Sequence, residues 1–172
     1  LSQRVWRGEI NPGRFADQYQ VQVFLLLHHD ENDLFLSQAL QSSPQWALVY
    51  LDETTVVYAR KTLLSSGASR LHEVDLKNLS PGQFEFLSRY GPYWVGNFLV
   101  AQQHWPSAKS FYEMALSEGI EPAFCYNNLA IIEAHADQLQ TAMNYFVLSM
   151  TIKPTEMTLK NLRNFLSKLP PS

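Results

Sequence analysis

A cluster of histidine and acidic side chains directly follows an apolar segment at residues 21–27 (VQVFLLL). Imidazole nitrogens and carboxylate oxygens are common ligands of divalent metal ions. Open α/β sheets bind ligands beyond the carboxyl ends of their strands. Residues 28–33 are therefore a candidate site for a metal or small ligand. The cluster consists of His28, His29, Asp30, Glu31 and Asp33, and the first three are the candidate metal ligands.

The same cluster can also be interpreted as a polar loop between a strand and a helix. Acidic side chains interact favourably with the positive end of a helix, so they are frequent in the first helical turn. Asp33 is a plausible N-cap for the helix that follows. This interpretation needs no bound ligand, and we favour it.

Other residues capable of chemistry form no recognisable reaction centre. Asp52 and Glu53 could act as an acid and a base, but neighbours in a tight turn usually point apart, so a turn is the better interpretation. The remaining histidines, His72, His104 and His135, are isolated in the sequence. A nucleophile elbow, a phosphate-binding loop and a zinc motif are all absent from the sequence. The sequence thus predicts neither catalytic residues nor a cofactor.

The composition narrows the class of protein. With 46% hydrophobic and 17% charged residues, the chain is typical of a packed globular protein. A formal charge of -3 without a Lys/Arg cluster argues against nucleic acid as a partner. The single cysteine, Cys125, rules out an intrachain disulfide and is best explained as a small buried side chain. A membrane-length apolar run and a signal-peptide pattern are both missing from the sequence.

Residues 1–62 are predicted to form a small α/β domain with the order β-α-β-β. The apolar run at residues 21–27 is expected at the sheet centre, buried on both faces. It should pair in parallel with the next strand, across a helix that ends before Pro44, and the hairpin should add an antiparallel edge. The predicted segments are a strand at 4–10, a short helix after the Asn11-Pro12-Gly13 turn, and strands at 21–27, 46–50 and 55–60.

The rest of the chain divides into a linker at residues 63–79 and an all-helical domain at 80–172. Ser80 and Pro81 are a helix N-cap and first-turn proline, which predicts a helix through Phe84, Phe86 and Leu87. An amphipathic helix near the end of the chain, from Met157 to Leu169, is expected to cover the last apolar face.

Residues 122–154 form one helix-turn-helix unit by pattern. Shifting this unit back by about 34 residues superimposes small and aromatic side chains in two copies. The pairs are Gly96 with Ala130, Trp105 with Leu139, Ala108 with Ala142 and Tyr112 with Phe146. The region resembles two tetratricopeptide repeats, although Asp137 replaces the usual turn glycine and Ser149 stands where alanine is preferred. A TPR-like helical array is the fold that this resemblance implies.

In the tetratricopeptide family the first helix of each repeat lines a groove that binds peptides. The resemblance places eight residues on or near such a groove: Tyr93, Asn97, Val100, Phe124, Asn127, Asn128, Ile131 and His135. Asparagine amides can bind a peptide backbone, and aromatic rings can hold an anchor side chain. Lys/Arg residues that would clamp a terminal carboxylate are absent from these positions, so such a ligand is not expected. Alternatively, Val100 and Ile131 are partly core, and two repeats with a cap form only a shallow packing surface.

Residues 46–60 (WALVYLDETTVVYAR) carry a second resemblance. They are similar to a segment near the end of bacterial multi-spanning glycosyltransferases of the dolichyl-phosphate-mannose type, in which a strand, a helix and a hairpin follow the last membrane helix. The matching residues are Trp46, Leu48, Val49, Tyr50, Asp52, Val57, Tyr58 and Arg60. Catalytic residues of that class lie in the membrane-embedded part, so the resemblance does not make this segment an enzyme.

Two hypotheses about function follow. The first is a non-catalytic module that binds a protein or peptide and forms the extracytoplasmic tail of a bacterial membrane glycosyltransferase-like protein, attached through an N-terminal transmembrane region. The second is an enzyme domain that binds a small ligand or metal at residues 28–33. A cytoplasmic location is the alternative to the extracytoplasmic one. The short α/β part and the missing motifs favour the first hypothesis.

Overall fold

The computed structural model describes residues 11–28, 30–65 and 70–169. The strand predicted at residues 4–10 lies outside the described residues. Helices and strands within them follow the order α-β-α-β-β-α and then a helical region. They are α1 (Pro12–Gln18), β1 (Val23–Leu27), α2 (Glu31–Gln41), β2 (Trp46–Leu51), β3 (Thr55–Arg60), α3 (Lys61–Ser65), a 3-10 turn (Pro81–Gln83), α4 (Gly91–Ala101), α5 (Trp105–Ser117), α6 (Pro122–His135), α7 (Leu139–Ile152) and α8 (Glu156–Leu166).

The three strands form an antiparallel sheet in the order β1-β3-β2. The mixed α/β class and the β2-β3 hairpin are confirmed, but the predicted parallel pairing is wrong. Strands β1 and β2 each pair with β3, so the second arm of the hairpin lies between them. In β3, Val56, Tyr58 and Ala59 are fully buried, which suits a central position.

Among the strands that the structure describes, β1 lies at an edge of the sheet and not at the predicted centre. Its side chains alternate, since Leu26 is buried whereas Leu25 is 67% exposed. The apolar run had suggested burial on both faces, but only one face of β1 packs on the core. Periodicity alone could not show this, because both faces of the strand carry apolar residues.

The N-cap of helix α2 lies earlier in the chain than predicted. Asp30, not Asp33, is the N-cap, and its carboxylate accepts hydrogen bonds from the backbone amides of Asn32 and Asp33. The carboxylate of Asp33 instead accepts a 2.8 Å bond from the backbone amide of Leu27 at the end of β1. Both acids therefore stabilise the junction between strand and helix.

The predicted linker packs closely where the structure describes it. Val74 donates its backbone amide to the carbonyl of Leu48 in β2, and Leu76 and Leu79 are buried. The hydroxyl of Ser107 in α5 donates to the carbonyl of Leu76. Residues 70–79 thus contact both the sheet and the helical region. The helix predicted through Phe86 is wrong, because only the 3-10 turn forms there and Phe86 is 81% exposed.

The helical region consists of two pairs, α4 with α5 and α6 with α7, followed by α8. The pairs recur at the interval found in the sequence, since α5 begins at Trp105 and α7 at Leu139. The turns repeat as well: Gln103 and Asp137 are separated by the same interval, and both have positive φ angles, of 61° and 56°. This left-handed conformation is common just after a helix.

Close packing joins α4 to α5 at a glycine. A Cβ atom on Gly96 would lie 2.9 Å from the ring of Tyr112, so only a glycine lets the two helices approach this closely. Between the pairs, Lys109 of α5 forms a 2.7 Å ion pair with Glu133 of α6, which is largely buried. This bond raises the pKa of Lys109. One buried apolar cluster extends from the sheet through α4, α5 and α6.

A second, smaller cluster joins α6, α7 and α8. Ala130, Ala142, Phe146 and Phe165 are its buried members. The rings of Phe146 and Phe165 lie 5.5 Å apart, which fixes α8 against α7. A membrane-crossing helix is not found within the residues that the structure describes.

Adjacent leucines of β1 test which face of this strand is buried. We expect Leu26→Ala to lower the free energy of unfolding by about 2–4 kcal/mol, because Leu26 is buried. Leu25→Ala should change it by less than about 1 kcal/mol, because the Leu25 side chain is mostly exposed. Urea unfolding of both variants measures the difference. Equal losses would contradict burial of only one face of β1.

Gly96 tests the contact between α4 and α5. Alanine there gains helix propensity, but its Cβ overlaps a fully buried ring, so we expect Gly96→Ala to lower the free energy of unfolding by about 1–2 kcal/mol. Gly82→Ala is the control, because a Cβ at Gly82 would meet nothing within 4 Å. We expect that variant to stay within about 0.5 kcal/mol of the original chain in thermal or urea unfolding.

Candidate functional site

Three of the predicted groove residues lie in α4 and five in α6. The structure joins the two helices at Asn97 and Asn128, whose side chains share a 3.1 Å hydrogen bond. The Tyr112 hydroxyl donates to Asn97 Oδ1 at 2.8 Å and accepts from Asn128 Nδ2 at 2.9 Å. Burial chiefly raises the pKa of Tyr112, so its hydroxyl stays protonated and available as a donor. These three residues form one network across α4, α5 and α6.

Asn127 departs from the expectation that it faces a groove. Its side chain is fully buried. It donates to Asn128 Oδ1 at 3.0 Å and accepts from Asn161 Nδ2 of α8 at 3.1 Å. Asn127 therefore holds α8 against α6 and is not accessible to a partner. The resemblance to tetratricopeptide repeats had placed Asn127 on the groove, but a buried amide with bonding partners is equally compatible with the sequence.

A cavity of about 320 Å³ lies between α6, the start of α7 and α8. Two of the predicted groove residues, Ile131 and His135, line this cavity. Apolar side chains and polar side chains both line it. The lining residues are Ile131, Ala134, His135, Asp137, Leu139, Phe146, Asn161, Asn164, Phe165, Lys168 and Leu169.

The α8 side of this cavity was missed in the sequence, where the helix was interpreted only as a cap. Asn161 and Asn164 of α8 and Lys168, just past the end of the helix, recur at helical spacing and form one polar edge. The spacing of these polar residues can be read from the sequence, but the sequence does not show which neighbouring helix they face. Only the packing of Phe165 against Phe146 turns this edge toward His135 and the cavity.

An aromatic stack stands at one side of the cavity. The imidazole of His135 lies nearly parallel to the Trp105 ring, with centroids 4.3 Å apart and an angle of 14°. This contact connects the end of α6 with the start of α5. It holds the exposed His135 side chain in one orientation beside the opening.

The remaining predicted groove residues lie outside the cavity lining. The Tyr93 ring contacts Trp94, and burial chiefly raises the Tyr93 pKa. The Phe124 ring lies 5.4 Å from the Lys153 ammonium nitrogen. Val100 packs partly against the main apolar cluster. The eight predicted residues thus divide between the amide network, the cavity and packing contacts.

The candidate ligand loop after β1 is used for structural contacts. His28 is buried, its Nε2 lies 2.9 Å from the carbonyl of Asp52, and its ring packs near Phe98 of α4. Asp30 caps α2. His29 lies outside the described residues. Within the described part of the chain, His, Cys, Asp and Glu side chains nowhere gather in threes that could hold a metal.

Asp52 and Glu53 bind different parts of the chain. Asp52 Oδ1 accepts hydrogen bonds from the backbone amides of Thr54 and Thr55, at 2.8 and 2.7 Å. Burial raises the Asp52 pKa, but these bonds and one from Tyr50 outweigh it, and the pKa is lowered. Glu53 accepts from the backbone amide of Ser88 at 2.7 Å. The two carboxylates therefore build the turn and its contact with residue 88.

Cys125 is fully buried in α6, as the sequence predicts. Its thiol donates to the carbonyl of Ile120 at 3.4 Å. Burial raises its pKa to about 12, so the thiol is protonated at neutral pH. Because thiolates are the nucleophilic form, Cys125 has the properties of a packing residue.

Comparison with protein-family models, curated proteins and solved structures finds no match for this chain. The function proposed below therefore rests on the geometry of the helical region and on the sequence.

A double-mutant cycle tests the amide network. We expect Asn128→Ala to lower the free energy of unfolding by about 1–3 kcal/mol, because it removes bonds to Asn97, Tyr112 and Asn127. Tyr112→Phe should cost about 1 kcal/mol, and the double variant should lose less than the sum, since the two residues share a bond. Asn144→Ala is the control, because the side-chain amide of Asn144 in α7 is exposed and, within the described residues, bonds only Gln140. Additive losses in urea unfolding would contradict a shared network.

Proposed function

We propose that this chain is a non-catalytic protein-interaction module whose two helical pairs are tetratricopeptide repeats. In this proposal it binds an extended peptide segment of a partner protein. The observation that carries the proposal is the cavity between α6 and α8, which combines an apolar floor with amide groups at its edge.

The repeat assignment is supported by the regular recurrence of the helical pairs. The small residues Gly96 and Ala130 and the aromatic residues Tyr112 and Phe146 occupy the buried positions that the repeat pattern requires. The left-handed turn residues Gln103 and Asp137 recur at the same interval. A repeated backbone feature of this kind is independent of the apolar pattern from which the resemblance was first drawn.

The cavity suits one large apolar side chain of a peptide. Its volume of about 320 Å³ is at the low end of the range for ligand pockets, which is roughly 300–1,000 Å³. Phe146 and Phe165 provide an apolar floor. Asn164 provides an exposed amide that can both donate and accept a hydrogen bond, as a peptide backbone requires. Anchor and backbone recognition are thus available at one place.

The cavity edge carries one acidic and one basic side chain, Asp137 and Lys168. Opposite charges at the edge favour an internal peptide segment over a free terminal carboxylate, since a terminal carboxylate is bound by several cations together. This agrees with the absence of Lys/Arg from the predicted groove positions.

The second part of the proposal concerns the parent protein. We propose that the chain forms the extracytoplasmic tail of a bacterial membrane glycosyltransferase-like protein, where it would hold a partner near the membrane. The support is the similarity of residues 46–60 to that class, and these residues form the β2-β3 hairpin. The coding sequence immediately upstream of Leu1 tests this part: several hydrophobic segments are expected, and a start codon close to Leu1 would contradict it.

Filling the cavity tests peptide binding. Peptides selected from a random displayed library on the original chain should lose at least about tenfold affinity for Ala134→Phe, because the new ring occupies the anchor space; that corresponds to about 1.4 kcal/mol. Ala136→Phe is the matched control, because Ala136 is exposed and does not line the cavity. Affinity is measured by fluorescence anisotropy, and urea unfolding verifies that both variants fold. Equal binding to both variants would contradict the cavity as the peptide site.

A further inference from the structure

The edge of α8 away from the cavity is apolar and open. Leu159, Leu162 and Leu166 recur at helical spacing, so they lie on one side of the helix. Leu162 is partly buried against the second apolar cluster, whereas Leu159 is 36% and Leu166 45% exposed. A capping helix that only covered the preceding repeat would present polar side chains on this edge.

Comparison with α6 shows what normally covers such an edge. The inward residues of α8 can be aligned with those of α6. Thr158, Leu162 and Phe165 each follow their counterpart Cys125, Leu129 or Ile132 by 33 residues, one fewer than separates the helical pairs. In the same register, Leu159, Arg163 and Leu166 correspond to Tyr126, Ala130 and Glu133.

That side of α6 is covered by its neighbours. Ala130 packs with Ala142 and Phe146 of α7, and the Tyr126 ring lies 5.7 Å from the Tyr145 ring of α7. Glu133 pairs with Lys109 of α5. The corresponding side of α8 faces outward, so α8 presents an apolar edge at the position where α6 receives a second helix.

Helix α7 carries a further exposed apolar side chain, Val147. Val147 shares a face of α7 with Met143, which packs against the same cluster as Leu162. Val147 is 55% exposed. At the corresponding position of α5, in the preceding helical pair, stands Glu113, so the apolar character is specific to the second pair.

Basic side chains flank the apolar residues. A depression on α8 is lined by Leu159, Lys160 and Arg163, together with Glu156 and Met157. Neither Lys160 nor Arg163 forms an ion pair within the described residues. Residues 139–169 contain Lys153, Lys160, Arg163 and Lys168 against the single acid Glu156, although the chain as a whole has a net charge of -3.

We propose that the surface of α8 formed by Leu159, Leu166, Lys160 and Arg163 binds an acidic amphipathic helix of a partner protein. The helix takes the place that α7 has on α6, with its apolar stripe on the leucines and its carboxylates opposite Lys160 and Arg163. This surface is separate from the peptide cavity, which uses the opposite edge of α8.

The basic side chains of this surface favour an acidic helix over a second copy of the chain and over a membrane. A second copy of the chain would bring its own Lys160 and Arg163 against the same residues, and like charges at an interface are unfavourable. Anionic membrane surfaces are usually bound by clusters of four to eight basic residues, whereas two flank the leucines here. A depression between side chains also fits a helix better than a flat lipid surface.

A charge-reversal experiment tests the proposal. The probe is a displayed library of helical peptides with leucines fixed at positions i, i+3 and i+7 and with flanking positions randomised between Glu and Lys. We expect selection on the full chain to enrich Glu over Lys at least tenfold at the flanks. The preference should reverse on the variant Lys160→Glu/Arg163→Glu.

Lys77→Glu is the matched control, because Lys77 is exposed and lines neither the cavity nor the depression on α8, so it should leave the Glu preference unchanged. Arg163→Glu alone is measured in parallel, so that the result does not depend on folding of the double variant, and circular dichroism melting verifies the fold. In Leu166→Gln, binding of the selected peptides should fall at least tenfold.

Four results would overturn the proposal. The first two are the lack of a Glu preference on the original chain and the same Glu preference on the charge-reversed variants. The third is charge-dependent binding of the chain to vesicles of phosphatidylcholine and phosphatidylglycerol, which would assign the surface to a membrane. The fourth is a dimer that Leu166→Gln dissociates in analytical ultracentrifugation, which would assign the surface to a second copy of the chain.

Discussion

The helical region depends on the close contact between Gly96 of α4 and the ring of Tyr112 of α5. Because no Cβ intervenes, the ring lies directly against the α4 backbone, and the Tyr112 hydroxyl reaches Asn97. The same hydroxyl accepts a bond from Asn128, which brings α6 to a defined position beside the first pair. One glycine thus controls the placement of three helices, because the buried hydroxyl must find its partners in order to be stable.

A second set of polar contacts attaches these helices to the sheet. The Gln38 amide of α2 donates to the carbonyl of Ala101 at the end of α4, and Gln102 donates to Ser37. Ser37 is in turn bonded to the buried Tyr58 hydroxyl of β3. Since the main apolar cluster also crosses from the sheet to α6, the α/β part supports the first helical pair directly.

Helix α8 has an unusual position because both of its edges are accessible. The bond between Asn127 and Asn161 and the contact between Phe146 and Phe165 determine its rotation. With this rotation, Asn164 and Lys168 face the cavity, and the leucine edge faces outward. A rotation different by one residue would bury Leu159 and Leu166 and remove the open apolar surface. The two proposed binding surfaces therefore depend on the same packing of α8.

The sequence by itself determined the mixed class, the β2-β3 hairpin and the recurrence of the helical pairs, because these follow from local turn chemistry and from the period of apolar residues. It also predicted the burial of Cys125. The order of strands required the tertiary structure, because it is set by the pairing of β1 and β2 with β3. Strand β1 also has apolar residues on both faces, so only its packing shows which face is buried. In the same way, the sequence around an amide such as Asn127 is compatible with a groove residue and with an internal bond. Whether Asn127 faces a groove or forms an internal bond depends on the rotation of α8 about its axis. That rotation is determined by side-chain packing between helices that are distant in sequence, and the local sequence pattern carries no information about that packing.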